Sequence, residues 1–177
     1  KVNKKDITEN NRRTISNYIT HYVHFREICR EIGGEDDITI NSFNWQKVLR
    51  AYFKDDNVVI QQLNASFTYG YEYNGPSTRL VISGLTDRVW LTITSSLSIK
   101  AGCSLGGPAG TGKTETTKDL AKILGYQCIV FNCSEQVTFK TLGNIFSGLC
   151  MHRYGVFACL DEFNRISVEV LSVTAQF

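Results

Sequence analysis

Gly107-Pro108-Ala109-Gly110-Thr111-Gly112-Lys113-Thr114 is the stretch on which the reading of this chain turns. It fits G-x-x-x-x-G-K-[ST], a loop that cradles phosphate. Its glycines let the backbone curl so that several N–H groups point at phosphate oxygens. A helix through Leu124 comes next, with Gly125 at its end, and its positive N-terminus adds to anion binding. Lys113 is the side chain that reaches the β- and γ-phosphates, and the Thr114 hydroxyl is the Mg²⁺ ligand. A glycine-rich loop can be a mere turn. Eight residues of this pattern, opening a helix after an apolar stretch, argue against that.

Downstream, Val156-Phe157-Ala158-Cys159-Leu160 is an uninterrupted apolar strand that ends in Asp161-Glu162. A carboxylate at a strand end beside such a loop can hold the water shell of Mg²⁺, which assigns the metal to Thr114 and Asp161. Glu162 then orients and deprotonates the attacking water, the task of a general base. Tandem acids of this kind favour an ATPase over a GTPase or a small-molecule kinase. Gln127 to Asn132 is a buried strand between the two motifs. Asn132 at its end either hydrogen-bonds the catalytic carboxylate or simply makes a turn. Arg165 is either a charge acting in trans or a surface residue, the second being favoured. A helix over Thr138 to Met151 turns Phe139, Leu142, Ile145, Phe146 and Leu149 inward, and a last helix begins near Ser167. Ser104 to Gly106 is a short strand ahead of the loop. Alternating helices and near-continuous apolar strands predict a parallel sheet covered on both faces.

Upstream the texture differs. Residues 12–32 repeat apolar side chains at three and four (Ile15, Tyr18, Ile19, Tyr22, Phe25, Ile28, Cys29, Ile32), a helix whose aromatic stripe is expected to be core contact. Gly33-Gly34 stops it, and Glu35-Asp36-Asp37 opens a polar connection. Ser42 caps a second short helix carrying Phe43, Trp45, Val48, Leu49, Tyr52 and Phe53, and Asp55-Asp56-Asn57 breaks that pattern. From Ala65 to Tyr73 the period becomes two, a half-buried strand. Asn74-Gly75-Pro76 turns the chain, and Arg79 to Ile82 is extended. Thr86 caps a helix with Asp87 in its first turn, Val89, Ile93 and Leu97 on one face, and Gly102 as its end.

Composition sets limits around these motifs. Lys and Arg exceed Asp and Glu by 2, too even a balance for a nucleic-acid footprint. Lys1, Lys4, Lys5, Arg12 and Arg13 read as a solvated start rather than a binding arm. Val89 to Ile99 is far short of the roughly 18 apolar residues a membrane span needs, and no signal peptide is visible. The six cysteines, at 29, 103, 128, 133, 150 and 159, form no CxxC pair and read as reduced, buried thiols. His21 and His24 lack a third ligand at metal spacing. A chain that begins with Lys and stops inside a helical pattern reads as a piece of something larger.

Gly107-PAGTGKTETTKDLAK-Ile123, Val130-FNCSE-Gln136 and Cys159-LDEFNRI-Ser167 resemble the first AAA+ module of dynein heavy chains. Ala65-SFTYGYEYNGPSTRLVISGLTDR-Val89 is similar to the segment that joins that family's linker to the module, and Phe43-NWQKVLRAYF resembles the end of the linker. Glu115-Thr116-Thr117-Lys118-Asp119 resembles axonemal more than cytoplasmic heavy chains. The resemblance implies an α/β P-loop NTPase (AAA+) parallel sheet, incomplete, preceded by a mostly helical linker segment. Its implied divisions are 1–64 for the linker end, 65–102 for the lead-in with the adenine-side loop, and 103–177 for the ATPase core.

It implies that Gly107, Pro108, Ala109, Gly110, Thr111, Gly112, Lys113 and Thr114 hold nucleotide, that Val81 and Ile82 within Leu80 to Arg88 line the adenine side, and that Glu162, Lys113 and Asn132 serve catalysis. The implied cofactors are ATP and Mg²⁺. The implied function is ATP hydrolysis driving minus-end-directed movement along microtubules, with a cytoskeletal, ciliary or flagellar axoneme location; a non-hydrolysing regulatory module is the alternative. Implied partners are the other AAA+ modules of the same heavy chain, dynein intermediate and light intermediate chains, and microtubules through parts outside this sequence, with no nucleic acid and no membrane. Gly84 stands where the family commonly has Pro, Val89-Trp90 where Cys-Tyr is common, and Leu160 where Phe is common.

Overall fold

The computed structural model describes residues 7–34, 37–108, 110–152 and 155–175. The predicted Glu35-Asp36 connection, Lys1, Lys4, Lys5 and Ala109 lie outside them.

Helix α1 (Glu9–Gly33) opens on Thr8, whose hydroxyl accepts from the Asn11 amide, and closes at Gly34. It buries no residue. Tyr18, Tyr22 and Phe25 are more than half exposed, so the expected aromatic core contact is not made within the described chain. Tyr18 and Tyr22 instead pack on each other along the helix.

The second predicted helix is shorter than its apolar spacing suggested. Helix α2 covers only Phe43–Gln46, and Ser42 spends its hydroxyl on the Thr39 amide rather than on the helix. Tyr52 and Phe53 lie in strand β1 (Arg50–Lys54), which pairs antiparallel with β2 (Asn57–Gln62). The reason is the turn. Asp55 and Asp56 both take positive φ, 49° and 58°, the geometry of a tight two-residue hairpin whose twist matches that of the strands. β2 pairs in turn with β3 (Ala65–Thr68). Strand β3 stops well before Tyr73, and Tyr71 has φ 56°. Beyond Tyr69, whose amide still donates to the Val58 carbonyl, the chain leaves the sheet to cross the end of another helix. Gly70 and Glu72 donate backbone hydrogen bonds to the carbonyls of Leu124 and Gly125. Contact there is so close that a Cβ on Gly70 would lie 2.4 Å from the Gly125 oxygen.

Helix α3 (Gly84–Ser98) is capped by Ser83, not by Thr86; the Ser83 hydroxyl accepts from the Thr86 amide. Asp87 falls in the first turn as expected. The predicted strand at Ser104 to Gly106 does not form. Helix α4 (Lys113–Leu124) ends on Gly125 in the left-handed conformation. Strand β4 (Gln127–Asn132), helix α5 (Phe139–Cys150), strand β5 (Val156–Asp161) and helix α6 (Val168–Thr174) complete the described chain.

β4 and β5 pair in parallel, with Asn132 opposite Asp161. The expectation that both faces of this sheet are covered fails for β4: Ile129 and Val130 are exposed. Phe139, expected inward on α5, is 57% exposed, whereas Leu142 is fully buried. Two cores result. Ile60, Trp90, Ile93, Leu120 and Leu124 form one, and Cys133, Val137, Leu142 and Ile166 the other. Of the six cysteines only Cys133 is buried; Cys29, Cys103 and Cys150 are exposed, and all are free. No helix among the described residues is long and apolar enough to cross a membrane.

Candidate functional site: a phosphate loop against a strand-end carboxylate

The phosphate loop owes its shape to two left-handed glycines, Gly110 at φ 78° and Gly112 at φ 77°. Only glycine adopts that conformation without steric cost. Gly112 is the N-cap of α4, so the helix begins at Lys113 with its N-terminal amides directed into the loop. Lys113 Nζ donates to the carbonyls of Gly107 and Pro108 at 2.8 and 2.7 Å. The lysine therefore folds back over the loop it belongs to. Thr111 Oγ1 donates to the Pro108 carbonyl at 2.9 Å and closes the loop from the other side.

Across from it, β5 delivers Asp161. Thr114 Oγ1 donates to Asp161 Oδ2 at 2.9 Å, joining two residues read as one metal pair from opposite ends of the motif region. The other oxygen, Oδ1, accepts from the Glu162 amide at 3.0 Å. Glu162 itself sits in the left-handed region, φ 52° and ψ 39°, a strained position for a side-chain-bearing residue and one common at functional turns. A short 3₁₀ turn, Phe163–Arg165, comes directly after it. It brings the Arg165 guanidinium onto the Glu162 carboxylate, so Arg165 engages the neighbouring acid rather than solvent alone. Among the described residues Asn132 makes no hydrogen bond to Glu162, although it stands in register with Asp161.

Charge at this strand end is felt by its neighbours. Burial pushes the Cys133 and Cys159 thiols up, and the Asp161 carboxylate adds to the shift in each. Of the residues implied for the adenine side, Ile82 packs against the first core while Val81 is 76% exposed. Thr114 and Asp161 offer a hydroxyl and a carboxylate oxygen within hydrogen-bond reach, the hard oxygen donors that suit Mg²⁺. An ion pair between half-buried Arg79 and buried Asp119, Nε to Oδ1 at 3.0 Å, escaped the sequence reading. Its one signal was an acid set directly before the apolar pair Leu120-Ala121 of a helix.

A phosphate loop at a helix N-terminus, facing a strand that ends in Asp-Glu, defines a nucleotide-binding P-loop protein of the ATPase kind. The chain belongs to the family described as the hydrolytic ATP binding site of the dynein motor region, which matches residues 69–177. It is 49% identical over 165 residues to human dynein axonemal heavy chain 1. It is likewise 49% identical to human dynein axonemal heavy chain 6 over 167 residues and to mouse dynein axonemal heavy chain 3 over 154 residues. These alignments take in 93%, 93% and 87% of the chain but only 4% of each relative.

Proposed function

We propose that this chain is the ATP-binding and ATP-hydrolysing module of an axonemal dynein heavy chain, whose hydrolysis drives movement along microtubules in cilia or flagella. The observation that carries the reading is the Thr114–Asp161 hydrogen bond, with Glu162 next in the chain. In this reading 1–64 is the end of the linker, 65–102 leads into the module, and 103–177 is the ATPase core. The loop amides from Gly107 to Thr114, other than that of Pro108, which has no N–H, and the Lys113 ammonium hold the triphosphate, which the lysine reaches by leaving the Gly107 and Pro108 carbonyls. Val81 and Ile82 face the adenine.

Thr114 and Asp161 hold Mg²⁺, which supplies charge neutralisation at the phosphates. Glu162 accepts a proton from the attacking water, and Asn132, in register with Asp161 at the adjacent strand end, turns to orient that carboxylate when nucleotide is bound. The other AAA+ modules of the heavy chain, its intermediate and light intermediate chains, and the microtubule are the partners of the whole protein.

Glu162→Gln in the full heavy chain tests the reading. The amide keeps the shape of the side chain but cannot take a proton from water. Single-turnover hydrolysis is expected to fall about 10²–10⁴-fold while ATP still binds. A rate within about threefold of the unmodified protein, against that expectation, would move the chain to a regulatory, non-hydrolysing module.

A further inference from the structure

One short segment outside the phosphate loop is gripped from two sides. Residues 77–82 run without regular secondary structure between the Gly75 turn and α3. From one side Asn17 of α1 uses both ends of its amide. Its Nδ2 donates to the Ser77 carbonyl at 2.6 Å, and its Oδ1 accepts from the Arg79 amide at 3.2 Å. A neighbouring β-strand would make the same exchange with its backbone. From the other side Asp119 of α4 meets Arg79 Nε at 3.0 Å.

Asp119 is 1% exposed. Burial pushes its carboxyl up, and Arg79, Lys122 and the Leu80 amide pull it back. Neither of its oxygens completes an aligned hydrogen bond, so the tie to Arg79 is ionic. Stability does not account for it, because apolar side chains of similar volume commonly replace such a pair without loss. What the pair does fix is a distance. Asp119 stands two turns at most into α4 from Lys113, about 9 Å along the axis at the helical rise. The segment just beyond Arg79 is thereby held at a set spacing from the phosphate loop, and that segment carries Val81 and Ile82.

We propose that Asn17, Arg79 and Asp119 form a tether that positions the Val81–Ile82 segment over α4, and so tunes affinity for the base of ATP separately from affinity for its triphosphate. Asp119 and Arg79 are positioning residues; neither touches the nucleotide. The proposal rests on the reading of Val81 and Ile82 as adenine-side contacts.

The test uses the full heavy chain, with ATP as substrate and inorganic tripolyphosphate, which has no base, as competing ligand. Asp119→Asn keeps the size of the side chain and removes its charge. It is expected to raise KM for ATP about three- to tenfold, the scale of one hydrogen bond misplaced. The turnover number and the inhibition constant of tripolyphosphate should both stay within about twofold, well under that shift. Arg79→Met with Asp119→Leu leaves no unpaired charge in the core and is expected to shift KM equally, which covers the case in which the single variant folds poorly. An equal loss for ATP and tripolyphosphate would mean that the loop itself is disturbed, and would overturn the tether. Val81→Asp separates the tether from its premise. If it leaves KM for ATP unchanged, the base-side reading falls and the tether with it. If it raises KM while the Arg79 and Asp119 variants do not, the tether alone falls.

Discussion

The two cores of this chain are assembled in opposite ways. The first gathers Ile60 from the hairpin, Trp90 and Ile93 from α3, and Leu120 and Leu124 from α4, elements spread from residue 60 to residue 124. The second gathers Cys133, Val137, Leu142 and Ile166, all within the run from β4 to α6. The proposed nucleotide site lies between them. Lys113 and Thr114 begin α4, whose far end is in the first core, while Asp161 ends β5, whose Leu160 packs on the second. β5 touches both, since Phe157 packs on the first core. A site that straddles two cores keeps its geometry only as well as the cores hold each other, and the Thr114–Asp161 bond is a direct link across that seam.

The sharpest break of this comparison is a pair of truncations, one in each core. Trp90 is 2% exposed and its indole N–H donates to the Thr116 carbonyl at 3.1 Å. Trp90→Ala should cost about 3–5 kcal/mol and Leu142→Ala, from a fully buried position, about 2–5 kcal/mol, read by urea unfolding. If the cores are independent the double variant should be additive within about 0.5 kcal/mol. A larger coupling would show that packing in one core is energetically linked to packing in the other across the seam.

The second core was far more legible than the first, and the reason is physical. Its strands and helices are joined by short connections, and each apolar run is long enough to carry its own period, so β4 and β5 fall where the sequence put them. The phosphate loop and Asp161-Glu162 were legible because their chemistry dictates residue types at fixed spacing. The first core needed information no window holds. Val48, Leu49, Tyr52 and Phe53 carry a helical spacing, yet the left-handed pair Asp55-Asp56 folds Tyr52 and Phe53 into a hairpin. Arg79 and Asp119 are forty positions apart in sequence, and only tertiary packing brings them together. Exposed Tyr18, Tyr22 and Phe25 show the other failure: an amphipathic period announces an apolar face but not what covers it.

On the seam itself, Lys113→Ala probes the first core's contribution to the site. The loss of a charged hydrogen-bond donor to phosphate should weaken ATP binding about 10- to 150-fold, the range for a hydrogen bond to a charged group, as measured by calorimetry on the full heavy chain. Because Lys113 is held by the Gly107 and Pro108 carbonyls, the variant also frees those acceptors, so loop disorder would add to the loss. Unchanged affinity would remove the lysine from the site.

A smaller effect separates the exposed thiols from those in the sheet. Burial pushes the Cys128 thiol from 9.0 up to about 11, the neighbouring Cys159 adding to the shift. At pH 8 its thiolate fraction is then about a hundredfold below that of an ordinary thiol, and since a more basic thiolate is also a better nucleophile, alkylation should be slowed about tenfold. Mass-resolved labelling should find exposed Cys103 and Cys150 modified before Cys128. The folded state holds the Cys128 proton more tightly than the unfolded chain does, so its contribution to stability is complete below pH 9 and declines as pH rises toward 11. Equal labelling rates would mean that β4 opens readily and that the sheet is the weak side of the seam.

The smallest expected effect stiffens the first core where it borders the segment proposed to face the base. Gly84 is the first residue of α3, the helical position at which proline is favoured because its missing N–H has no partner to lose. The residue before it must be extended for a proline to fit, and Ser83 is, at φ −114° and ψ 166°. An added Cβ at position 84 meets nothing within 4 Å. The cap survives too, since the Ser83 hydroxyl bonds the Thr86 amide and not that of Gly84. Gly84→Pro should therefore stabilise the chain by about 0.4–1 kcal/mol, chiefly by restricting the unfolded state. For a chain of this size that is a rise of about 1–4 °C in Tm by calorimetry. The gain should survive in the Leu142→Ala background if the cores are independent and shrink there if they are not. A fall in Tm would mean that the amide of residue 84 has a partner whose loss outweighs the entropy gained.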